Sequence, residues 1–184
     1  MRPSAAEATL ALQVGELRQL FNAMDPAPFR ERDLDPNAEA YIVEWAEEVD
    51  KREPLALVVT LSREAVPQEG AAMLRAALHG YFQERAGATR MELRRLFRRG
   101  RVSLVIGVAF LGAAILAGEF LAGFASKERY ATIIQETFVI GGWVALWRPM
   151  EIFLYDWWPL LSKARLFDRL ARMRVDVANA ASAA

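Results

Sequence analysis

The stretch VSLVIGVAFLGAAILAGEFLAGF, Val102 to Phe124, decides how this chain is read. It runs for 23 residues with a single ionisable group, Glu119. A bilayer hydrocarbon core about 30 Å thick needs about 20 helical residues, so the stretch is long enough to cross it. The alternative is a buried hairpin of a soluble protein, whose core helices seldom run this long without a polar face.

Outward toward the C-terminus, a second apolar run extends from Tyr130 to Trp147, interrupted by Thr132, Gln135, Glu136 and Thr137. Polar residues within a span are accommodated where they face a partner helix or water. Only Ala125-Ser126-Lys127-Glu128-Arg129 separates the two runs, so they are predicted to form an antiparallel helical hairpin. Gly107, Gly112, Ala113, Gly118 and Gly123 in the first run, and Gly141 and Gly142 in the second, let helix backbones approach closely.

Orientation follows from the cations. Arg90, Arg94, Arg95, Arg98, Arg99 and Arg101 precede the first run, and Arg148, Lys163, Arg165, Arg169, Arg172 and Arg174 follow the second, against Lys127 and Arg129 between them. Positive charge is retained on the cytoplasmic side, which places both ends of the chain there. The N-terminal MRPSAAEATLALQVGELRQL does not fit a secretory signal, because it lacks a long apolar core before a small-residue cleavage site.

Trp143, Trp147, Tyr155, Trp157 and Trp158 gather at the predicted cytoplasmic boundary, where amphipathic rings are favoured. Pro149 is expected to kink or end the second span. Beyond it, Met150, Phe153, Leu154 and Trp157 would face lipid, while Arg148, Glu151 and Asp156 meet headgroups or the arginines ahead of the first span. Glu119 and Glu136 lie at similar depth near the connecting loop. As a pair they are a site on an ion path, acids shallow enough to reach the interface, or acids that share a proton within the bundle.

Upstream, Asp35-Pro36 is a helix start: the carboxylate accepts from free amides and proline needs no donor at the first position. The predicted helix runs to about Val49, with Ala38, Tyr41, Ile42, Trp45, Ala46 and Val49 on its inner face. LALVVTL, Leu55 to Leu61, is a β-branched apolar run expected as a covered strand. Gly15 to Met24 reads equally as a strand or a short helix. If it is a strand, the order is strand, helix, strand, helix, and two strands alone make a weak sheet. Strands from another copy or a helical cover would complete it, which is the sequence argument for a homo-oligomer. Pro67 opens a further helical pattern carrying Met73, Leu74, Ala77, Leu78, Tyr81 and Phe82, which continues into the first span.

Lysine plus arginine equals aspartate plus glutamate, 23 against 23, but the N-terminal third is acidic and the middle and tail are basic. No independent basic domain is present, so nucleic acid is not an expected partner. The absence of cysteine removes disulfides, thiolate metal sites and cysteine nucleophiles. Asp25, Asp33 and Asp35, grouped with Glu31 and Arg32, are weak candidates for a hard cation, although Asp35 is already committed as a cap. His79 is the sole histidine and has no second ligand in the sequence around it. No phosphate loop occurs, no cofactor is expected, and nothing requires enzymatic chemistry.

The segments DPAPFRERDLDPNAEAYIVEWAEE (Asp25 to Glu48) and GGWVALWRPMEIFLYDWWPL (Gly141 to Leu160) together resemble an uncharacterised family of small bacterial inner-membrane proteins with two transmembrane helices. The resemblance covers most of the chain from Leu20 onward. It implies a bacterial inner membrane and carries no activity.

The expectation is therefore an α+β membrane protein with six segments. Residues 1–89 form a small cytoplasmic α/β domain, 90–101 a basic juxtamembrane helix and 102–124 the first transmembrane helix. Residues 125–129 form a periplasmic loop, 130–149 the second helix, and 150–184 an interfacial aromatic elbow with a basic cytoplasmic tail. Its expected partners are membrane lipids, further copies of itself and another membrane protein. Its expected role is a homo-oligomeric scaffold or channel-like assembly, with an accessory subunit or a lipid-headgroup enzyme as alternatives.

Overall fold

The computed structural model describes residues 7–22, 33–62, 68–124 and 128–179. The chain is mostly helical, with one small parallel sheet. Its elements are β1 (Ala8–Val14), α1 (Pro36–Glu48), β2 (Leu55–Leu61), α2 (Gln68–Ala122), α3 (Glu128–Glu151), α4 (Trp157–Leu170) and β3 (Arg174–Asn179). They fall into two compact units, one of Met1–Thr89 with Ser162–Ala184 and one of Arg90–Leu161.

In the first unit the strands lie in the order β1-β2-β3, all parallel. Leu10, Leu57 and Val175 share one register row, and Leu12, Val59 and Val177 the next. These side chains meet Ile42 and Ala46 of α1, Leu74, Ala77, Leu78 and Phe82 of α2, and Phe167 and Leu170 of α4 in a single core. Right-handed crossovers that step the same way along a sheet put every connecting helix on the same face. On the opposite face Thr9, Ala11 and Gln13 are exposed, Val58, Thr60, Asp176 and Ala178 are partly buried, and Ala56 is fully buried. Its row partners are Thr9 and Arg174, and Arg174 bridges over it to Glu7 at 2.9 Å.

The helix start at Asp35 takes the predicted form: its carboxylate accepts from the Asn37 amide at 2.9 Å, with Pro36 first in the helix. Tyr41 departs from expectation, because it is exposed rather than on the buried face of α1. The first strand is Ala8–Val14, upstream of the segment whose reading was open. That segment instead carries a short 3₁₀ helix, Leu17–Leu20. The C-terminal segment is also not simply a tail. After α4 it returns as β3 and completes the sheet, so the first unit obtains its third strand from its own chain. The requirement for a strand from another copy is removed with it.

The two edges of the sheet differ. Along β3, Arg75 donates to the Val175 carbonyl at 2.6 Å and His79 to the Met173 carbonyl at 2.8 Å. Side chains from α2 therefore occupy acceptors that a neighbouring strand would use. Along β1, bonds from the Ala8 amide to Pro54 and from Ser62 to the Val14 carbonyl fix which residues face β2. The main-chain groups of Thr9, Ala11 and Gln13 then point outward from an uncharged edge.

In the second unit three glycines of α2 and α3 lie close to atoms of the other helix. A Cβ at Gly107 would stand 2.9 Å from the Ala145 carbonyl, one at Gly118 3.1 Å from Phe138, and one at Gly142 2.4 Å from a Leu111 methyl. Among the described residues α2 is the one helix long and apolar enough to cross a membrane. Glu128, Arg129, Glu136, Arg148 and Glu151 all fall within α3.

Candidate functional site at the elbow between α3 and α4

Pro149 sits inside α3, two residues before its end. It has no N–H to offer the carbonyl four residues earlier, that of Ala145. That oxygen is the atom that crowds Gly107, so the missing helical bond and the missing Cβ occur at one contact. The helix does not stop at the proline. It widens into one turn of π-helix, Ile152–Asp156, and resumes as α4. Such widened turns form where the regular ladder has lost a donor.

Polar side chains span the widened turn. Arg148 pairs with Glu151 at 2.9 Å and with Asp156 at 3.3 Å, so one guanidinium joins the end of α3 to the end of the π turn. Trp147 donates its ring N–H to the second oxygen of Glu151 at 2.9 Å. Trp157 donates to the Phe153 carbonyl at 2.8 Å, satisfying an acceptor inside the turn. On the inner side, Ile152 is buried where a Cβ at Gly100 would come within 2.8 Å of it. Phe97 of α2 lies 6.2 Å from the ring of Phe153 and 6.4 Å from that of Trp157.

The elbow thus brings Trp147, Arg148, Glu151 and Asp156 into one hydrogen-bonded group. It leaves the rings of Trp143, Trp147, Tyr155 and Trp158 on the outside, 58 to 71 % exposed. Glu151 and Asp156 are both engaged by Arg148 of their own segment, each carboxylate held in an ion pair with the one guanidinium.

The remaining predicted residues are dispersed. Glu119 and Glu136 are both exposed, and neither takes part in the glycine-lined contact between α2 and α3. Asp35 is a helix cap, and its carboxylate also accepts from the Asn37 side chain at 3.1 Å. The Asp33 carbonyl accepts from the Asn22 amide at 2.8 Å. Among the described residues no three acidic, histidine or cysteine side chains stand close enough to hold a metal ion; Asp25 and Glu31 lie outside those residues. His79 binds the carbonyl of Met173, the residue just before β3.

A second polar group had no sequence signal. Tyr81 donates to Glu39 at 2.7 Å, and Arg85 donates to the other oxygen of the same carboxylate at 2.8 Å. The guanidinium also lies 5.9 Å from the ring of Phe167. Burial, together with the Glu39 carboxylate, pushes the Tyr81 phenol above its ordinary range. The group ties α1, α2 and α4 together within the first unit. Glu39 lies more than 40 residues from Tyr81 and Arg85 in sequence, and no motif joins it to them. No protein-family model, curated protein or solved structure matches this chain.

Proposed function

We propose that this chain is a two-span membrane protein whose α2–α3 hairpin anchors its α/β unit to the inner face of a bacterial inner membrane, where it serves as a scaffold. One observation carries this: in the second unit small residues face the partner helix and large apolar residues face outward. Val105, Phe110, Leu116 and Phe120 on α2, and Ile140 and Val144 on α3, are each more than half exposed. Apolar surface on this scale marks a lipid or protein contact. Lipid favours this arrangement, since helices in a bilayer associate through close backbone contact rather than through large apolar side chains.

The α2 segment from Val102 onward meets the length requirement, and α3, interrupted by Thr132, Gln135, Glu136 and Thr137, follows it with an apolar run from Phe138 to Trp147. The clustered arginines put both termini on the cytoplasmic side, and the bacterial setting rests on the resemblance of the two segments described above. Self-association fits the scaffold role through the uncharged outer edge of β1, because β3's edge is occupied by Arg75 and His79. Alkaline carbonate extraction tests the anchor: the chain is expected in the membrane pellet and to be released only by detergent. Recovery in the carbonate supernatant overturns the proposal. Mass measurement in detergent tests self-association, with a closed multimer expected and a monomer contradicting it.

The channel-like alternative keeps one supporting observation. Glu119 and Glu136 are exposed on the hairpin and so are available to line an axis shared by several copies. Liposomes holding the protein would then pass cations, and the flux would fall when both become glutamine.

A further inference from the structure

We propose that Arg94, Arg98 and Arg101 form a binding site for anionic phospholipid headgroups, a role that rests on the membrane anchor proposed above. The three recur at spacings of four and three, which sets them on one stripe of α2, separated along the axis by about 6 and 4.5 Å. That stripe lies about 100° around the helix from Leu93, Phe97 and Gly100, the side that packs against the elbow. All three are exposed, and among the described residues none has an ion pair or hydrogen bond.

They share this with Arg95 and Arg99 of the same helix and differ in it from the arginines that tie the fold together. Arg75, Arg85, Arg148, Arg169, Arg172 and Arg174 each find a carboxylate or a carbonyl. The acids at the level of the stripe are unavailable to it, because Glu151 and Asp156 are taken by Arg148. Glu92 falls on the opposite side of the helix. Among the described residues these three guanidinium groups have no carboxylate of the protein's own.

The level of the stripe identifies the missing anion. Phe97 lies beside the rings of Phe153 and Trp157, and Gly100 abuts Ile152, so residues 94–101 stand beside the elbow. The elbow's exposed rings, Tyr155 and Trp158, mark the depth where tryptophan and tyrosine settle, at the headgroups. The apolar span begins immediately afterward at Val102. Phosphodiesters of the inner leaflet lie at this height, and a guanidinium fork matches two phosphate oxygens as an ammonium does not. A general preference for cations on the cytoplasmic side would be met equally by lysine. A headgroup site would not.

The experiment uses the full chain in nanodiscs of phosphatidylcholine with about a third phosphatidylglycerol, and measures the lipids retained on the protein after detergent extraction. Three variants are compared with the native chain: Arg94→Gln with Arg98→Gln and Arg101→Gln; the same three positions changed to lysine; and Arg95→Gln with Arg99→Gln, which lies off the stripe. The native chain is expected to retain phosphatidylglycerol above its share of the bilayer, with the preference falling by about fivefold for each arginine removed from the stripe. The lysine variant is expected to keep the native orientation and lose much of the preference, and the off-stripe variant to keep most of it. A native chain that inserts but retains the two lipids in bilayer proportion overturns the site and leaves the anchor standing. So does a lysine variant with native preference. A native chain that does not enter nanodiscs overturns the anchor and the site together.

Discussion

The two units of this chain arrange the same residue types in opposite ways. In the first, Phe82 and Phe167 stack inside a core with ring centroids 6.3 Å apart, and Thr9, Ala11 and Gln13 are exposed on the opposite face of the sheet. In the second, glycines line the contact between helices, while Phe110 and Phe120 point outward. An aqueous core is held by the removal of large apolar surface from water, whereas helices already in hydrocarbon gain nothing from that and rely on close fit. The inversion is therefore what a chain folded in two solvents would show, and each of its halves can be tested by substitution.

The largest contrast is between two phenylalanines. Phe82→Ala is expected to destabilise the first unit by about 3 to 5 kcal/mol, because it removes a fully buried ring from a close-packed core. Phe110→Ala, on the outer surface of α2, is expected to leave stability in detergent nearly unchanged. Chemical denaturation of both variants checks this, and equal losses would erase the distinction between the units.

Next come two glycines on α3 that neighbour each other in sequence. Gly142→Leu places a side chain against Leu111 and should cost about 1 to 3 kcal/mol by overpacking. Gly141→Leu meets nothing within 4 Å and should be tolerated. Thermal unfolding in detergent distinguishes them. A smaller effect is expected for Asp35→Ala, which removes the carboxylate that caps α1 and should cost about 1 kcal/mol.

The smallest effect is a dependence on pH. The Tyr81 phenol is raised in the folded chain by burial and by Glu39, so its contribution is complete below the unfolded value of about 10 and declines as pH rises beyond it. Urea unfolding of the native chain should weaken across that alkaline range by more than unfolding of Tyr81→Phe. Parallel slopes would remove the contribution.

The parts legible in sequence are those where neighbours in the chain are also neighbours in space. Asp35-Pro36 carries its cap two residues from the amide it meets, and Leu55 to Leu61 has no position at which a helix would find a polar face. The apolar stretch from Val102 and the aromatic elbow are equally local. What escaped depends on distance. The alternation of β1 is written with alanine, leucine and glutamine, which favour helix when taken alone. The sequence RVDVAN becomes a strand because β2 offers it an edge, more than 100 residues after that strand ends. The clamp of Glu39, Tyr81 and Arg85 exists only once α1 lies on α2. At the elbow the residue types were legible, but their pairing was not: Arg148 reaches both acids only because the π turn brings Asp156 round to it.

The account depends most on the hairpin lying in lipid, and the absence of cysteine allows a direct measurement. Single cysteines at Val105, Val144 and Glu47, all exposed positions, would be treated with a membrane-impermeant maleimide in sealed inside-out vesicles. Val105→Cys and Val144→Cys are expected to stay unmodified until detergent dissolves the bilayer, while Glu47→Cys reacts at once. Immediate reaction at all three positions would show that water, rather than lipid, surrounds the second unit.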